Sequence, residues 1–252
     1  MVLAAQRAGI VDPLAAEAGV SHKCLVPIGD APLIAHVVAA LRAAPGLARL
    51  RIVIEPDAAP SVDAHLPPAD IAAEYIAAAP NLADSVYAAA QGLDEPTIVT
   101  TADNVLLSPG AVEQMLAALR GGADVAIAMA TKAAVLAAHP EGQRRFYRFR
   151  DDEYSNCNLY AFAGARAFRA AESFRGGGQF AKKPMRLVAA IGLVNVALFL
   201  TGRLSLDQAM ARLSARFGLR IRGVVLADGT HAIDVDNQRT FAIASLLMAA
   251  HR

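Results

Sequence analysis

Short apolar runs alternate with amphipathic segments along the chain. Five runs have the length and β-branched content of strands, and several are apolar throughout, as is typical of strands covered on both faces of a sheet. They are Val2–Ala5 (VLAA), Arg51–Pro56 (RIVIEP), Thr97–Ala102 (TIVTTA), Asp124–Ala130 (DVAIAMA) and Ile221–Ala227 (IRGVVLA).

Segments with one apolar stripe at helical spacing lie between these runs and predict amphipathic helices. The stripes are Leu33, Ile34, Val37, Val38 and Leu41 in one segment, and Val112, Met115, Leu116 and Leu119 in another. A third helix is predicted after Ser205, which can form a capping box with Gln208, and it would end at Gly218. This alternation predicts an α/β fold with a mainly parallel, twisted sheet and helices on both faces. Ligands of such sheets bind beyond the carboxyl ends of the strands.

The composition limits the classes of function. The 252 residues are 55% hydrophobic and 19% charged, enough for one large α/β domain or two small ones. Because 24 Lys and Arg nearly balance 23 Asp and Glu, no global field attracts nucleic acid or an anionic membrane, and any anion site must be local. Two cysteines, Cys24 and Cys157, are too few for a disulfide framework, and MVLAAQRAG lacks the features of a signal peptide. We therefore expect a cytoplasmic protein.

The most lipophilic stretch, Leu187–Thr201, is too short to cross a bilayer and is interrupted by Asn195. It predicts a buried helix. Docking on a membrane or a partner is the alternative, and it would suit an acceptor from a lipid pathway.

The first loop is long and ends at one lysine. Arg7 and Gly9 follow the first predicted strand, and Lys23 lies directly before the apolar run CLVPI. A strand that leads through a loop into a helix can offer backbone N–H groups to phosphate oxygens, and a lysine adds a positive charge. His22, beside this lysine, can contact phosphate or pack. The alternative is a surface loop with a solvated lysine.

Acidic side chains follow two of the predicted strands. Asp103 comes directly after TIVTTA, where a carboxylate can bind Mg²⁺ or can instead cap a turn. Asp234 and Asp236 follow the last strand, and either can supply a second metal oxygen while the other caps the final helix. Carboxylates on both sides of a cleft suit a metal-bridged triphosphate, whose charge must be neutralised as pyrophosphate leaves.

The order of these segments resembles a known family. The order begins with LAA, a loop that reaches Lys23, and the short segments PLI and HV. Three longer segments follow, which are NLADSVYAAAQGL, TIVTTADNVLLSP and AIDVDNQRTFAIA. This order resembles the nucleotidyltransferases related to molybdenum-cofactor guanylyltransferase, and it is similar to the sugar-phosphate and methylerythritol-phosphate nucleotidylyltransferases. The resemblance implies a Rossmann-like fold of the nucleotide-diphospho-sugar transferase type. It also implies a single domain over residues 1–252, with a variable acceptor-side or helical insertion around 140–218.

The implied reaction is the Mg²⁺-dependent transfer of NMP from an NTP to a small phosphorylated acceptor, with release of pyrophosphate. Matched position by position, Lys23 and Asp103 would be catalytic, and Asp103 and Asp236 would bind the metal, with Asp234 a close competitor. Asn158 would lie on the acceptor side, before a strand. The nucleotide would be bound by Leu3, Ala4, Ala5, Arg7, Gly9, Lys23, Asn81, Asp84 and Ser85.

Two departures from the family pattern keep other functions open. AAQRAG retains only one glycine, Gly9, of a loop that usually has several, and TADN replaces the usual D-x-P. The alternatives are a non-catalytic nucleotide-binding regulatory protein and a glycosyltransferase on the same fold. The base, the acceptor and the oligomeric state do not follow from the sequence.

A segment of alternating basic and aromatic residues, RRFYRFRDDEY, is the candidate acceptor side. An acceptor phosphate could be held by Arg144, Arg148 or Arg150, or by Lys182 and Lys183. The alternative is a solvated hairpin whose arginines pair with the acidic residues Asp151, Asp152 and Glu153.

Overall fold

The computed structural model describes residues 1–6, 11–174, 198 and 200–250, without the side chains of 172–174. Its strands are β1 (Val2–Leu3), β2 (Pro27–Ile28), β3 (Ala31–Pro32), β4 (Leu50–Ile54), β5 (Ala73–Ala77), β6 (Thr97–Thr101), β7 (Val125–Thr131), β8 (Tyr147–Arg148), β9 (Glu153–Phe162) and β10 (Ile221–Leu226). The five predicted strands are all present, and none of their ends differs from the prediction by more than two residues.

The α-helices of the described residues are α1 (Pro13–Glu17), α2 (Leu33–Ala43), α3 (Ala59–Asp63), α4 (Leu82–Ala90), α5 (Pro109–Arg120), α6 (Lys132–Ala138), α7 (Leu206–Phe217) and α8 (Gln238–Ala250). Lys23–Leu25, Ala165–Phe174 and Gly229–Ala232 form 3-10 helices. The predicted capping box is confirmed, because Ser205 and Gln208 exchange both hydrogen bonds at the start of α7. Gly218 ends this helix with a φ of 62°, a conformation that glycine adopts without strain.

The main sheet has eight strands in the order β10–β7–β9–β6–β1–β4–β5, and β8 pairs with β9. Neighbouring strands are parallel except for β9, which runs antiparallel to both β6 and β7. The prediction of a mainly parallel sheet flanked by helices is therefore confirmed. Strand β9 was missed because its asparagines and serine are not typical of strands. It lies in the interior of the sheet, within the range proposed as an insertion.

Both faces of the sheet are covered. Along β7, Ala126 and Ala128 pack into one cluster of buried residues, whereas Val125 and Met129 pack into another. The first cluster includes apolar residues of α2 and α5, and the second includes those of α4 and α7. Successive side chains of a strand point to opposite faces, so the helices form two layers with the sheet between them.

The parallel strands place their carboxyl ends at one edge of the sheet. Strands β1, β4 and β6 are neighbours there, so the segments that follow Leu3, Ile54 and Thr101 meet. The predicted apolar helix at Leu187–Thr201 and the lysines Lys182 and Lys183 lie outside the described residues, apart from positions 198, 200 and 201. Among the helices that the structure describes, none has both the length and the apolar character needed to cross a membrane.

Candidate functional site

Three charged side chains from distant segments meet at the carboxyl edge of the sheet. Lys23, in the 3-10 helix after the first loop, donates a hydrogen bond from Nζ to Oδ2 of Asp103, at the end of β6. The same Nζ lies 3.6 Å from Oδ1 of Asp236, just before α8. The side chains of Lys23 and Asp103 are only 23% and 14% exposed, whereas that of Asp236 is 64% exposed. The site therefore has a buried ion pair at its base and a carboxylate at its mouth.

The acidic groups outnumber the lysine, and the pKa values show the consequence. Burial works to lower the pKa of Lys23, but Asp103, Asp236 and Asp12 outweigh it and hold this pKa above its ordinary value. Desolvation, followed by repulsion from Asp103, raises the pKa of the buried Asp234 well above its ordinary range. The same two causes also raise the pKa of Asp236, although its side chain is exposed at the mouth of the site. One ammonium group does not neutralise three carboxylates in so small a space.

Several buried polar atoms at the end of β6 have no hydrogen-bond partner among the described residues. They are Oγ1 of Thr101, Oδ1 of Asp103, Oδ1 of Asn104 and Oδ1 of Asp234. Asn104 is fully buried, and its amide donates to Oγ1 of Thr100 and to the carbonyl of Cys157. A cluster of unpaired buried acceptors needs water, a donor or a cation to compensate it. The sequence indicated Asp103 and Asp234, but it gave no signal for Asn104.

Two hydrogen-bonded links hold the segments after β6 and β10 together. The amide of Val235 donates to the carbonyl of Asp103 over 3.0 Å. His231 is buried, and its Nδ1 lies 2.9 Å from the carbonyl oxygen of Leu106, while its Nε2 lies 3.2 Å from Oγ of Ser108. Burial lowers the pKa of His231, so a neutral ring that donates from Nδ1 and accepts at Nε2 fits both contacts. His231 therefore joins the segment after β10 to the segment after β6, a role that the sequence did not reveal.

Asn158 lies inside β9, so the prediction that it precedes a strand is wrong. Its Nδ2 donates to Oδ2 of Asp234 over 2.7 Å, across 76 positions of sequence. Asp234 is only 6% exposed, whereas Asp236 faces the site entrance. The two candidates for the second metal ligand thus occupy different depths of the site.

The first loop approaches Glu55, the residue directly after β4, at both of its ends. The backbone N–H of Gln6 donates to Oε1 of Glu55 over 3.1 Å, and Nε2 of His22 lies 3.3 Å from Oε2 of the same residue. Nδ1 of His22 lies 3.0 Å from Oγ of Ser21, so both ring nitrogens face protein groups. Leu3 ends β1, and Ala4 and Ala5 lead into this loop. Arg7 and Gly9 lie outside the described residues.

The predicted nucleoside contacts surround the start of α4. Asn81 caps this helix through Oδ1, which accepts from the backbone N–H of Asp84 over 3.0 Å. Nδ2 of Asn81 donates to Oδ2 of Asp84 over 2.5 Å, and Oγ of Ser85 accepts from the backbone N–H of Ala79 over 2.9 Å. These contacts stiffen the segment that follows β5, whatever it binds.

The basic and aromatic segment forms a hairpin, with Tyr147 opposite Tyr154 and Arg148 opposite Glu153. The hairpin of the alternative prediction is present, but two of the acidic residues named as partners of its arginines contact other groups in the described structure. Glu153 pairs with Lys132 over 2.7 Å, and Asp151 accepts from the backbone N–H of Leu206 at the start of α7. An open depression of about 380 Å³ is lined by residues 148–153 and includes two exposed arginines.

The environment of the two cysteines does not favour a nucleophile. Both are buried, and burial raises the pKa of Cys24 to about 12 and raises that of Cys157 further. A thiol must ionise to attack, so covalent catalysis through cysteine is not supported.

Comparisons with known proteins show the family. The model of the MobA-like NTP transferase domain matches residues 6–189, well over half of the chain. Among solved structures, a hypothetical transferase from Thermus thermophilus is 26% identical, with a TM-score of 0.76, over 95% of this chain and 99% of that one. No curated protein matches the sequence.

Two more distant structures share the fold. CMP:2-keto-3-deoxy-manno-octonic acid synthetase complexed with CTP is 16% identical, with a TM-score of 0.61, over 100% of this chain and 99% of that one. The 4-diphosphocytidyl-2C-methyl-D-erythritol synthase from Anaerococcus prevotii is 12% identical, with a TM-score of 0.59, over 90% and 93%. The predicted family and fold are therefore confirmed, and the chain belongs to the MobA-like NTP transferase domain family of nucleotidyltransferases.

Proposed function

We propose that this protein transfers NMP from an NTP to a small phosphorylated acceptor, with Mg²⁺ as cofactor and pyrophosphate as product. The observation that carries the proposal is the meeting of Lys23, Asp103 and Asp236 at one edge of the sheet. Family membership supports nucleotidyl transfer in general. One structure with the same fold was determined with CTP, which is consistent with a triphosphate donor.

The residues present fit a Mg²⁺ ion that arrives with the nucleotide. The buried oxygens Oδ1 of Asp103 and Oδ1 of Asp234 have no partner in the described part of the chain, and carboxylate oxygens are the ligands that Mg²⁺ prefers. Within the described residues, no group of three or more His, Cys, Asp or Glu side chains can hold a metal alone. This fits Mg²⁺, which commonly combines one or two carboxylates with water and substrate phosphates. When bound, the ion would offset the negative charge of the phosphates as pyrophosphate leaves.

The second metal ligand is proposed to be Asp236, with Asp234 as its competitor. Asp236 lies at the mouth of the site, where a phosphate-bound ion enters, and Asp234 lies beneath it. If Asp236 is the ligand, Asp236→Asn weakens Mg²⁺ activation more than Asp234→Asn does. The opposite order would exchange the two roles.

Lys23 is proposed to bind the triphosphate. An ammonium group has three donors, so its contacts with two carboxylates leave capacity for a phosphate oxygen. Because Asp103 holds the lysine at the base of the site, the positive charge is already in position when the nucleotide arrives. The acceptor oxygen would then attack the α-phosphorus directly, without a covalent enzyme intermediate.

The nucleoside is proposed to lie between two rigid segments. The backbone of Leu3, Ala4 and Ala5 would contact it from the end of β1, with Arg7 and Gly9 completing the loop around the phosphates. Asn81, Asp84 and Ser85 would lie beside the base and ribose, and their capping hydrogen bonds would fix the backbone there.

The acceptor is proposed to bind near the hairpin of β8 and β9. This hairpin continues beyond the carboxyl end of β7, and therefore lies at the same edge of the sheet as Asp103. Arg148 and Arg150 line its open depression and supply positive charge for a phosphate. We propose that residues 1–252 form one nucleotidyltransferase domain. Strand β9 falls within the range 140–218 but belongs to the main sheet, so an insertion in this range would not include β9.

The proposal is tested by binding and turnover together. Thermal unfolding is measured with each of the four NTPs, with and without Mg²⁺, because a ligand that binds the folded state raises its apparent stability. Pyrophosphate release is then measured with the best NTP and a panel of phosphorylated acceptors. We expect one NTP to stabilise the protein in a Mg²⁺-dependent manner and to yield pyrophosphate with at least one acceptor.

The matched variant is Asp103→Asn, which keeps the shape of the side chain and removes its charge. We expect it to remain folded and to lose pyrophosphate release by 100-fold or more, a loss of about 2.7 kcal/mol in transition-state stabilisation. Full release by this variant would show that the metal assignment is wrong. Mg²⁺-dependent NTP binding without turnover would indicate a regulatory protein, and turnover of a nucleotide-sugar would indicate a glycosyltransferase.

A further inference from the structure

The backbone of β9 is irregular where it passes the site. The pairing of β9 with β7 shifts between Ile127, opposite Tyr160, and Met129, opposite Asn156, so β9 contains extra residues at this point. Asn158 lies within this bulge and has a φ of 46°. It is the only residue other than glycine with a positive φ in the part of the chain that the structure describes. Bulges beside a site often redirect a side chain, which is the effect seen here.

Hydrogen bonds from the neighbouring residue hold this conformation. Oδ1 of Asn156 accepts from the backbone N–H of Asn158 over 2.7 Å, and Nδ2 of Asn156 donates to the hydroxyl of Tyr160 over 2.7 Å. The turn is therefore fixed from both sides of Asn158. Asparagine tolerates the left-handed region better than most residues, although glycine would adopt it without strain.

The bulge directs the amide of Asn158 to one oxygen of a buried carboxylate. Nδ2 donates to Oδ2 of Asp234, whose other oxygen, Oδ1, is buried and has no partner among the residues that the structure describes. The hydrogen bond therefore fixes the rotation of this carboxylate and leaves a defined oxygen for a ligand. The backbone N–H of Val235, the next residue, donates to the carbonyl of Asp103. The backbone at Asp234 is therefore also held close to Asp103, the first proposed metal ligand.

We propose that Asn158 is a positioning residue for nucleotidyl transfer, which orients Asp234 so that its Oδ1 supports the cation held with the triphosphate at Asp103. This inference rests on the proposed function. Partners of this kind orient metal-site carboxylates, and their removal commonly weakens metal binding by about 10-fold to 100-fold. Asp234 can act here as a direct ligand or through a water molecule, and the role of Asn158 is the same in both cases.

The test uses Asn158→Gly in the full-length protein. Glycine keeps the left-handed backbone and removes only the amide, so the bulge can remain. The probe is Mn²⁺, whose free concentration is measured by electron paramagnetic resonance in the presence of the NTP that stabilises the wild-type protein most. We expect Asn158→Gly to fold like the wild type and to bind Mn²⁺ in the NTP complex about tenfold more weakly.

The dependence of turnover on Mg²⁺ supplies a second measurement. A purely structural defect would not be restored by adding Mg²⁺. If the amide acts through the cation, raising free Mg²⁺ restores most of the pyrophosphate release of Asn158→Gly. A stability control is Gly218→Asn, which puts asparagine at a left-handed position at the end of α7, where no atom of the described residues lies within 4 Å of an added Cβ. This control measures how much stability asparagine costs relative to glycine in the left-handed conformation, at a position away from the site.

The possible failures are distinguishable. If the wild type binds Mn²⁺ with NTP and Asn158→Gly binds it equally well, the role of Asn158 is wrong and the proposed function stands. A defect of Asn158→Gly that high Mg²⁺ does not restore also refutes the role. If the wild type binds no Mn²⁺ with any of the four NTPs, the proposed function fails and this inference fails with it.

Discussion

The contact between Lys23 and Asp103 should contribute strongly to stability, and a double-mutant cycle can measure it. The perturbations are Lys23→Met, Asp103→Asn and the double variant, because methionine keeps the length of lysine and asparagine keeps the shape of aspartate. Both native side chains are mostly buried, with 23% and 14% exposed. At an effective dielectric constant of about 20, unit charges about 4 Å apart attract by about 4 kcal/mol. Desolvation offsets part of this, and a charged hydrogen bond contributes about 1.5–3 kcal/mol net.

The single variants should differ because of their surroundings. Lys23→Met leaves Asp103 beside Asp234 and Asp236 without a cation, so we expect a loss of about 3–5 kcal/mol, as for a broken buried pair. Asp103→Asn removes one of the three carboxylates and leaves Lys23 within 3.6 Å of Asp236, so its loss should be smaller. The double variant should therefore be more stable than the sum of the two losses implies, by about 1.5–3 kcal/mol.

The assay is urea unfolding without nucleotide and with EDTA, for all four proteins. The matched control is the pair Lys132 and Glu153, whose side chains are each 41% exposed and 2.7 Å apart, with the variants Lys132→Met and Glu153→Gln. An exposed pair should give a coupling energy of less than about 1 kcal/mol. If the Lys23–Asp103 coupling does not exceed that of the control, the two groups do not form a buried ion pair and the reasoning about the site is wrong.

Two further predictions concern stability. Asp234→Asn should stabilise the ligand-free protein relative to the wild type, increasingly as the pH rises from 4 to 7 in urea unfolding with EDTA. Burial and Asp103 raise the pKa of Asp234 in the folded state above its unfolded pKa of 3.8. The protonated carboxyl therefore stabilises the wild type at a pH below 3.8, and this stabilisation is lost as the pH rises through the folded-state pKa. Separately, Gly229→Ala should destabilise by about 3 kcal/mol or more in thermal unfolding, because its Cβ would lie 2.2 Å from the backbone of Ala134.

Each of these predictions has a clear contrary result. A stability difference between Asp234→Asn and the wild type that stays constant across the pH range would show that Asp234 titrates alike in both states. The control for Gly229→Ala is Gly110→Ala, whose Cβ would meet Oγ of Ser108 at 3.9 Å, an ordinary contact, and no other atom of the described residues within 4 Å. Equal stability of the two glycine variants would contradict the packing of the Gly229–Ala232 segment against α6.

The sequence predicted those parts of the molecule whose cause is local. Apolar runs, helical stripes and the Ser205 capping box depend on residues close in sequence, and all of these appear in the structure. Lys23, Asp103 and Asp236 could be placed together because parallel strands end at one edge of a sheet. Topology indicated Lys23, Asp103 and the pair Asp234 and Asp236, and the family resemblance supplied the choice of Asp236.

The unpredicted parts depend on contacts between distant segments. The bond from Asn158 to Asp234 spans 76 positions and exists because β9 returns antiparallel between two parallel strands. The link from His231 to Leu106 spans 125 positions, and an isolated histidine in a loop gives no sign of it. A bulge depends on the mismatch of two paired strands, so neither strand reveals it alone.

The side chains of the site lower the stability of the ligand-free protein, and this is the strongest physical argument that the site binds a charged ligand. Oδ1 of Asp103 and Oδ1 of Asp234 are buried and have no partners within the described residues. Desolvation and repulsion from Asp103 raise the pKa of Asp234 and of Asp236. Apolar residues of similar size would avoid these costs. A divalent cation together with a triphosphate would satisfy the unpaired oxygens and place phosphate oxygens beside Lys23. Such a ligand would bind the folded state. It should therefore raise the free energy of unfolding by compensating the unpaired carboxylates.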